Sequence, residues 1–420
     1  MNTDAVTDGV RKRVVKNESG GDGDTGDRPS SVPSADDVEY ERKKMCYCST
    51  NIPMKRRIQT LMVIWYTGSI VFMTILSLFA IVNPCLWWFV LPYGLYYCVD
   101  RTPSNGNAVK RYSPWFRGLG IWWYLRDYFP VKLYQTAKLE PTFTSIDAKE
   151  LETEAREPGY LDSSEFVSPS KWWSPFKDKA ETVKATGPRY IFGYHPHGVA
   201  AFGAFSAFAT EACGWGEKFP GINNCLLTLL NQFQIPVYRD YLLALGITSV
   251  ARKNAMKILD NNYSITIVIG GASEAAISQI GSTDIILNKR KGFVKLALQA
   301  GNVSLVPVYG FGETSCYKII QLNPESKLRR FQTWVKSTFG FTIPVFFARG
   351  IFNYDFGLLP YRHPINVVVG KPIHIKEKIE HPTIEQIDHY HKHYIAELQR
   401  LFDEYKGKFG YGDKTLNIVE

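Results

Sequence analysis

The longest uninterrupted apolar stretch in the chain is IQTLMVIWYTGSIVFMTILSLFAIV, residues 58–82. It carries no charge over 25 residues and follows the basic triplet Lys55, Arg56, Arg57. As a helix rising 1.5 Å per residue it reaches roughly 37 Å, enough to cross a hydrocarbon layer of about 30 Å with some tilt. A buried helix of a soluble domain seldom runs so long without a polar face. Asn83 and Pro84 then break it. A second apolar run, CLWWFVLPYGLYYCV at 85–99, spans only roughly 22 Å as a helix, short for an independent crossing. Its Trp and Tyr residues suit a membrane interface. Basic residues flank both outer ends. The positive-inside rule therefore predicts a transmembrane hairpin or re-entrant anchor over 55–101 with both ends in the cytosol, a single span being the alternative. Segment 102–138 contains SPWFRGLGIWWYLRDYFP, which fits an amphipathic helix among headgroups or the first helix of a soluble domain.

Beyond the anchor the pattern changes period. Residues 139–187 are polar and rich in charge, Pro and Ser, and read as an inserted segment or loop. From 188 to 420 short apolar runs alternate with helical ones. RYIFGY, GITSVA, SITIVIGG, VSLVPVYGFG and HPINVVVG read as strands. VAAFGAFSAFATEA, KNAMKILDNN, FVKLALQAG and the long TIEQIDHYHKHYIAELQRLFDEYKGKFG read as helices, the last with a Thr cap and Glu385 just inside. That alternation predicts an α/β domain: a mixed, largely parallel sheet flanked by helices. Ligands of such sheets sit at the carboxyl ends of the strands, where His195, Arg252 and Glu274 fall.

Composition narrows the function classes. Hydrophobic residues make up 45% and aromatics 14%, ample for a large core and an interfacial surface. The net charge of +9 suits an anionic membrane face or a polyanionic ligand. No interleaved basic and aromatic ladder of the single-strand type occurs, so nucleic acid is not an expected partner. The seven cysteines are irregularly spaced and form no CxxC pair, which predicts neither a zinc ribbon nor a disulfide framework and fits a reducing compartment. Residues 1–54 are polar and clustered in Gly, Ser and Asp, an expected disordered cytosolic tail.

Two of the eight histidines lie together in YHPHG, His195 and His197, behind a buried strand. Residues two apart on a strand share a face, and Gly198 leaves room for a turn or a close approach. Packing, metal ligation and proton transfer are all open uses of such a pair. No third ligand or acidic metal motif is near, so no metal site is expected. His389, His391 and His393 alternate along a helix, share no face, and are expected to be exposed.

YHPHG, GGASEA and RKGFVKLALQAGNVSLVPVYGFGE together resemble the signatures of the type 2 diacylglycerol O-acyltransferase family, with RDYFP upstream and the terminal helix similar too. The likeness covers roughly 55–138 and 188–420. It implies an enzyme that transfers an acyl group from acyl-CoA to diacylglycerol, with no bound cofactor, in the endoplasmic reticulum membrane and at lipid droplets. The implied partners are acyl-CoA, diacylglycerol and membrane lipid; a homo-oligomer is compatible with the reading, which sets no oligomeric state. Monoacylglycerol or a long-chain alcohol as acceptor, or a non-catalytic lipid-droplet scaffold, are the alternatives. Glycerolipid acyltransferases at large carry His-x4-Asp and Gly-x5-Arg. Gly246 to Arg252 keeps the second spacing, but Ala200 stands where the first would put its Asp.

The resemblance implies His195 as general base, with His197 orienting it or binding the carbonyl oxygen, and either ring is open as the proton acceptor. Glu274 takes the absent aspartate's place, or is simply a first-turn glutamate. Pro196, Gly198, Gly270 and Gly271 are expected to shape the substrate site. Arg252, Arg290 and Lys295, with Lys253 and Lys291, are candidates for the phosphates of coenzyme A. Gly292 and Phe293 would let its acyl chain approach.

Overall fold

A computed structural model describes residues 51–146 and 182–419, apart from 321, 324, 340–344 and 355. The expected tail, up to residue 50, and the middle of the expected insertion, residues 147–181, lie outside the described residues. The apolar stretch forms one helix, α1 (Met54–Val82), followed after Asn83 by a turn and then α2 (Trp87–Val99). At 29 residues α1 reaches about 44 Å, and among the described residues it is the one helix long and apolar enough to cross a membrane. α2, with 13 residues, is not.

Eight strands form the main sheet: β1 (Lys132–Gln135), β2 (Arg189–His195), β3 (Asn224–Thr228), β4 (Ile247–Ser249), β5 (Ser264–Val268), β6 (Val303–Phe311), β7 (Asn366–Val369) and β8 (Ile373–Ile375). Their spatial order is β1-β7-β6-β2-β5-β3-β4, and β8 also pairs with β6. Five adjacent strands, β6-β2-β5-β3-β4, are mutually parallel, while β7 and β8 run against β6. The sheet is therefore mixed and largely parallel, as the alternation predicts. β1, β3 and β8 escape a sequence reading.

Helices cover both faces. α3 (Ile121–Tyr128), α4 (Arg252–Asp260), α5 (Gly271–Ala275), α6 (Gly292–Ala300), α7 (Lys327–Phe339) and the long α8 (Ile384–Tyr405) carry the residues used below. Thr383 caps α8 in a capping box whose inner member is Gln386. Alternation along β2 sorts the core into two layers. Tyr190, Phe192 and Tyr194 lie in one layer with Phe208, Trp215 and Trp122, while Ile191 and its sheet neighbour Leu305 lie in the other with Phe293 and Tyr394.

Three local expectations change. The helix expected over 199–212 is confined to Phe202–Ala204 and a wider π turn at Phe205–Ala209. Segment 113–130 divides into a turn at Pro114–Arg117 and α3, which buries Trp122, Leu125 and Tyr128 against the domain and leaves Trp115 and Trp123 exposed. His391 is buried and bonds the Leu287 carbonyl (3.1 Å), whereas His389 and His393 are exposed. The described ends of the polar segment meet: Phe143–Ile146 pairs antiparallel with Thr182–Ala185.

Candidate active site

β2 ends at His195, so strand alternation stops there and His197 takes a different environment from its neighbour. The His195 ring is wholly buried, with Nε2 3.1 Å from the Tyr394 hydroxyl of α8. That hydroxyl donates its hydrogen to the Gly193 carbonyl (3.1 Å), which leaves it an acceptor toward Nε2–H. Nδ1 of His195 then carries the lone pair and has no partner among the described residues. A Cβ at Gly193 would sit 2.0 Å from the Tyr394 oxygen, so glycine is required for α8 to reach the strand. Burial lowers the His195 pKa to about 3 and keeps the ring neutral.

His197 is only half-buried. Its Nδ1 lies 2.9 Å from the Gly198 carbonyl, which accepts its hydrogen and fixes the tautomer with a lone pair on Nε2. Desolvation lowers its pKa below 6.5, so this lone pair is available at neutral pH.

Glu274, in α5 just beyond β5, is buried. It accepts the backbone N–H of His197 and that of Ile286 (2.7 Å). It therefore holds the backbone of the histidine loop and does not take the vacant nitrogen of His195. A second buried carboxylate, which sequence reasoning missed, does the same from the far side. Glu313, beyond β6, accepts the Tyr194 hydroxyl (2.7 Å) and the N–H groups of Phe202 (2.7 Å) and Gly203 (2.9 Å). Gly198, at φ +60°, packs so closely that a Cβ would meet Glu313 Cγ at 2.8 Å. Burial raises the pKa of each carboxyl to about 7. The only sequence signal for Glu313 is its place at the end of VPVYGFGE. Nothing local to that stretch announces burial.

Residues 198–203 are thus clasped by Glu313 on one side and by α1 on the other. Tyr66, near the middle of α1, donates its hydroxyl to the Ala200 carbonyl (2.6 Å) and packs on Phe202 and Phe205. Further contacts run along the same helix, from Arg362 on Gln59 (2.6 Å) to Ser77 on the Pro236 carbonyl (3.2 Å). The membrane-length helix lies against the domain that carries the histidines.

The diacylglycerol acyltransferase family matches residues 79–146 and 176–419. The chain belongs to the diacylglycerol acyltransferase family. It is 55% identical over 371 residues to diacylglycerol O-acyltransferase 1 of Eremothecium gossypii, covering 88% of this chain and 80% of that one. It is 49% identical over 394 residues to diacylglycerol O-acyltransferase 1 of Saccharomyces cerevisiae, covering 93% and 92%. A third relative, 2-acylglycerol O-acyltransferase 1 of Bos taurus, is 37% identical over 377 residues, covering 87% and 97%. No solved structure matches. The gap in the family match, residues 147–175, falls inside the polar segment read as an insertion.

The remaining expected residues divide in two. Pro196 and Gly198 are buried within the histidine loop, and Gly270 packs on the Glu274 carboxyl. Gly271, at φ +59°, and Gly292 have open space around them. Arg290 is exposed beside α5, its guanidinium 3.4 Å from the Ser273 hydroxyl. Phe293 packs edge-on against Tyr394 (4.8 Å between rings), completing a row from α6 to His195. Arg252 is drawn elsewhere. Its Nε bonds the Gln299 side chain (3.1 Å), at the opposite end of α6 from Gly292 and roughly 10 Å along that helix. Lys291 pairs with Asp388 (2.6 Å), and Lys295 is exposed on α6. Among the described residues no group of three or more His, Cys, Asp or Glu could hold a metal ion.

Proposed function

We propose that this protein transfers a fatty acyl group from acyl-CoA to diacylglycerol, forming triacylglycerol, with His197 as general base. The observation that carries the reading is the bond from Tyr66 to Ala200, which sets the histidine loop beside the middle of the helix long enough to cross a membrane. Diacylglycerol dissolved in lipid meets the site there. Acyl-CoA, a water-soluble co-substrate, meets it from the carboxyl edge of the sheet, where Arg290 and Lys295 offer cations to its phosphates. No bound cofactor is needed.

The chemistry balances with these groups. Nε2 of His197 takes the hydroxyl proton as the acceptor oxygen attacks the thioester carbonyl. The carbon–sulfur bond breaks, and the coenzyme A sulfur leaves with the proton returned by the imidazolium. His195 is a positioning residue: its ring ties the strand end to Tyr394 and sets where Pro196 and His197 begin. This reverses the roles expected from sequence, and the support for the reversal is exposure, since the His195 ring is wholly enclosed. Glu274 and Glu313 hold the loop backbone.

The anchor is read as a hairpin of α1 and α2 with both chain ends in the cytosol, in the endoplasmic reticulum membrane and at lipid droplets. Tyr93 and Tyr97 of α2 bond Asp240 (2.6 Å) and the Gln234 carbonyl (2.8 Å), which keeps α2 against the domain beside α1. A monoacylglycerol acceptor is the second reading, favoured by the likeness to the bovine 2-acylglycerol enzyme. Membranes carrying the protein, given labelled oleoyl-CoA with mono- and diacylglycerol in competition, test both. Triacylglycerol as the main product supports the first reading. Diacylglycerol as the main product replaces it with the second, and free fatty acid alone sinks both.

A further inference from the structure

Residues 318–362 hold seven Lys or Arg against two Asp or Glu, a net +5 within a chain of net +9. α7 lies in this stretch and has no acidic residue in KLRRFQTWVKSTF. It turns Gln332 and Val335 inward, yet leaves Leu328, Phe331 and Trp334 between 46% and 55% exposed. The loop after it repeats the pattern. Ile351, Phe352, Phe356 and Leu358 are 50% to 76% exposed, with Arg349 over the Tyr354 ring (5.4 Å). Large apolar side chains this exposed, set among cations, do not suit bulk water.

The position of the patch names its partner. Arg362, which follows the loop, stacks on Tyr128 (4.0 Å) and bonds Gln59, two residues after the basic triplet in the first turn of α1. Arg362 therefore ties the end of this stretch to the end of α1 expected among cytosolic headgroups. We propose that α7, Ile351, Phe352, Phe356 and Leu358 form a second membrane-contact surface, which rests on anionic phospholipid headgroups of the same leaflet that receives α1. Its cations meet lipid phosphates and carboxylates, and its aromatic and aliphatic side chains enter the acyl boundary. The surface also borders the site: Tyr317 stacks on Phe202 of the histidine loop (6.1 Å) and bonds the Leu358 carbonyl (3.3 Å).

The test uses the full chain in vesicles of phosphatidylcholine with phosphatidylserine, tritiated in the phospholipid. The photo-crosslinking residue p-benzoylphenylalanine is placed singly at positions 331 and 352, with exposed position 392 on α8 as control. Phospholipid adducts at 331 and 352 well above those at 392 are expected. Arg330→Ala is expected to lower the adduct yield at 331 by about fivefold, the loss for one cation at an anionic surface. Yields equal to the control overturn the proposal, as does cross-linking to a second copy of the chain in place of lipid. The readout is independent of acyl transfer, so its failure would leave the catalytic reading intact.

Discussion

His195 and His197 stand two residues apart in one loop and differ in nearly every physical respect. His195 is sealed beneath Tyr394 and pushed to a pKa of about 3. His197 is partly exposed, with its tautomer fixed by a carbonyl and the lone pair on Nε2. The difference teaches that a repeated residue type need not mean a repeated role. One ring locks the end of a strand, and the other keeps its basic nitrogen at a partly exposed position of the loop.

The largest effect should come from the open ring. His197→Ala is expected to lower kcat for triacylglycerol synthesis about 10²- to 10⁴-fold while the folded protein is retained. His195→Ala should instead appear first as lost stability, about 2–4 kcal/mol from the vacated core volume, read as a lower Tm. Equal Tm values for the two variants would erase the contrast.

Next comes the clasp. Glu313→Ala strands two backbone N–H groups and a tyrosine hydroxyl in the core, at a cost of about 1–3 kcal/mol for each buried group left unpaired. The expected result is a loss of kcat of about ten- to a hundredfold with a smaller change in KM, partly restored by Glu313→Gln. A change in KM alone would remove Glu313 from the positioning role.

The same carboxyl gives a pH signature. Its folded pKa of about 7 lies above its ordinary 4.5, so the folded state binds the extra proton between those values. The group therefore favours folding as pH falls through 7 and opposes it above. Glu313→Gln should lessen the gain in Tm between pH 8 and pH 6, and an unchanged gain would contradict the assignment. The smallest effect belongs to the link with the anchor. Tyr66→Phe removes one hydrogen bond worth about 1 kcal/mol, and a severalfold loss of activity in membranes is expected.

Much of this fold is legible in the amino-acid sequence. The period of apolar residues gives α1, α8 and the parallel strands β2, β4, β5 and β6, but not β3 between them. YHPHG draws notice because two imidazoles flank a proline behind a strand. The division of labour between them was not legible, since it depends on Tyr394, 199 residues away from His195 in sequence. Glu313 was hidden for the same reason, as its partners lie more than 100 residues upstream. Arg252 shows the opposite failure: correct spacing from Gly246 placed it in the site, and a glutamine on α6 holds it elsewhere.

The most direct test of the central assignment is the pH dependence of kcat/KM for triacylglycerol formation in the His197→Ala enzyme. In the wild type the acid limb should follow an ionisation below pH 6.5, and in the variant the residual rate should lose that limb. An acid limb that persists unchanged without the His197 imidazole would show that another group takes the proton.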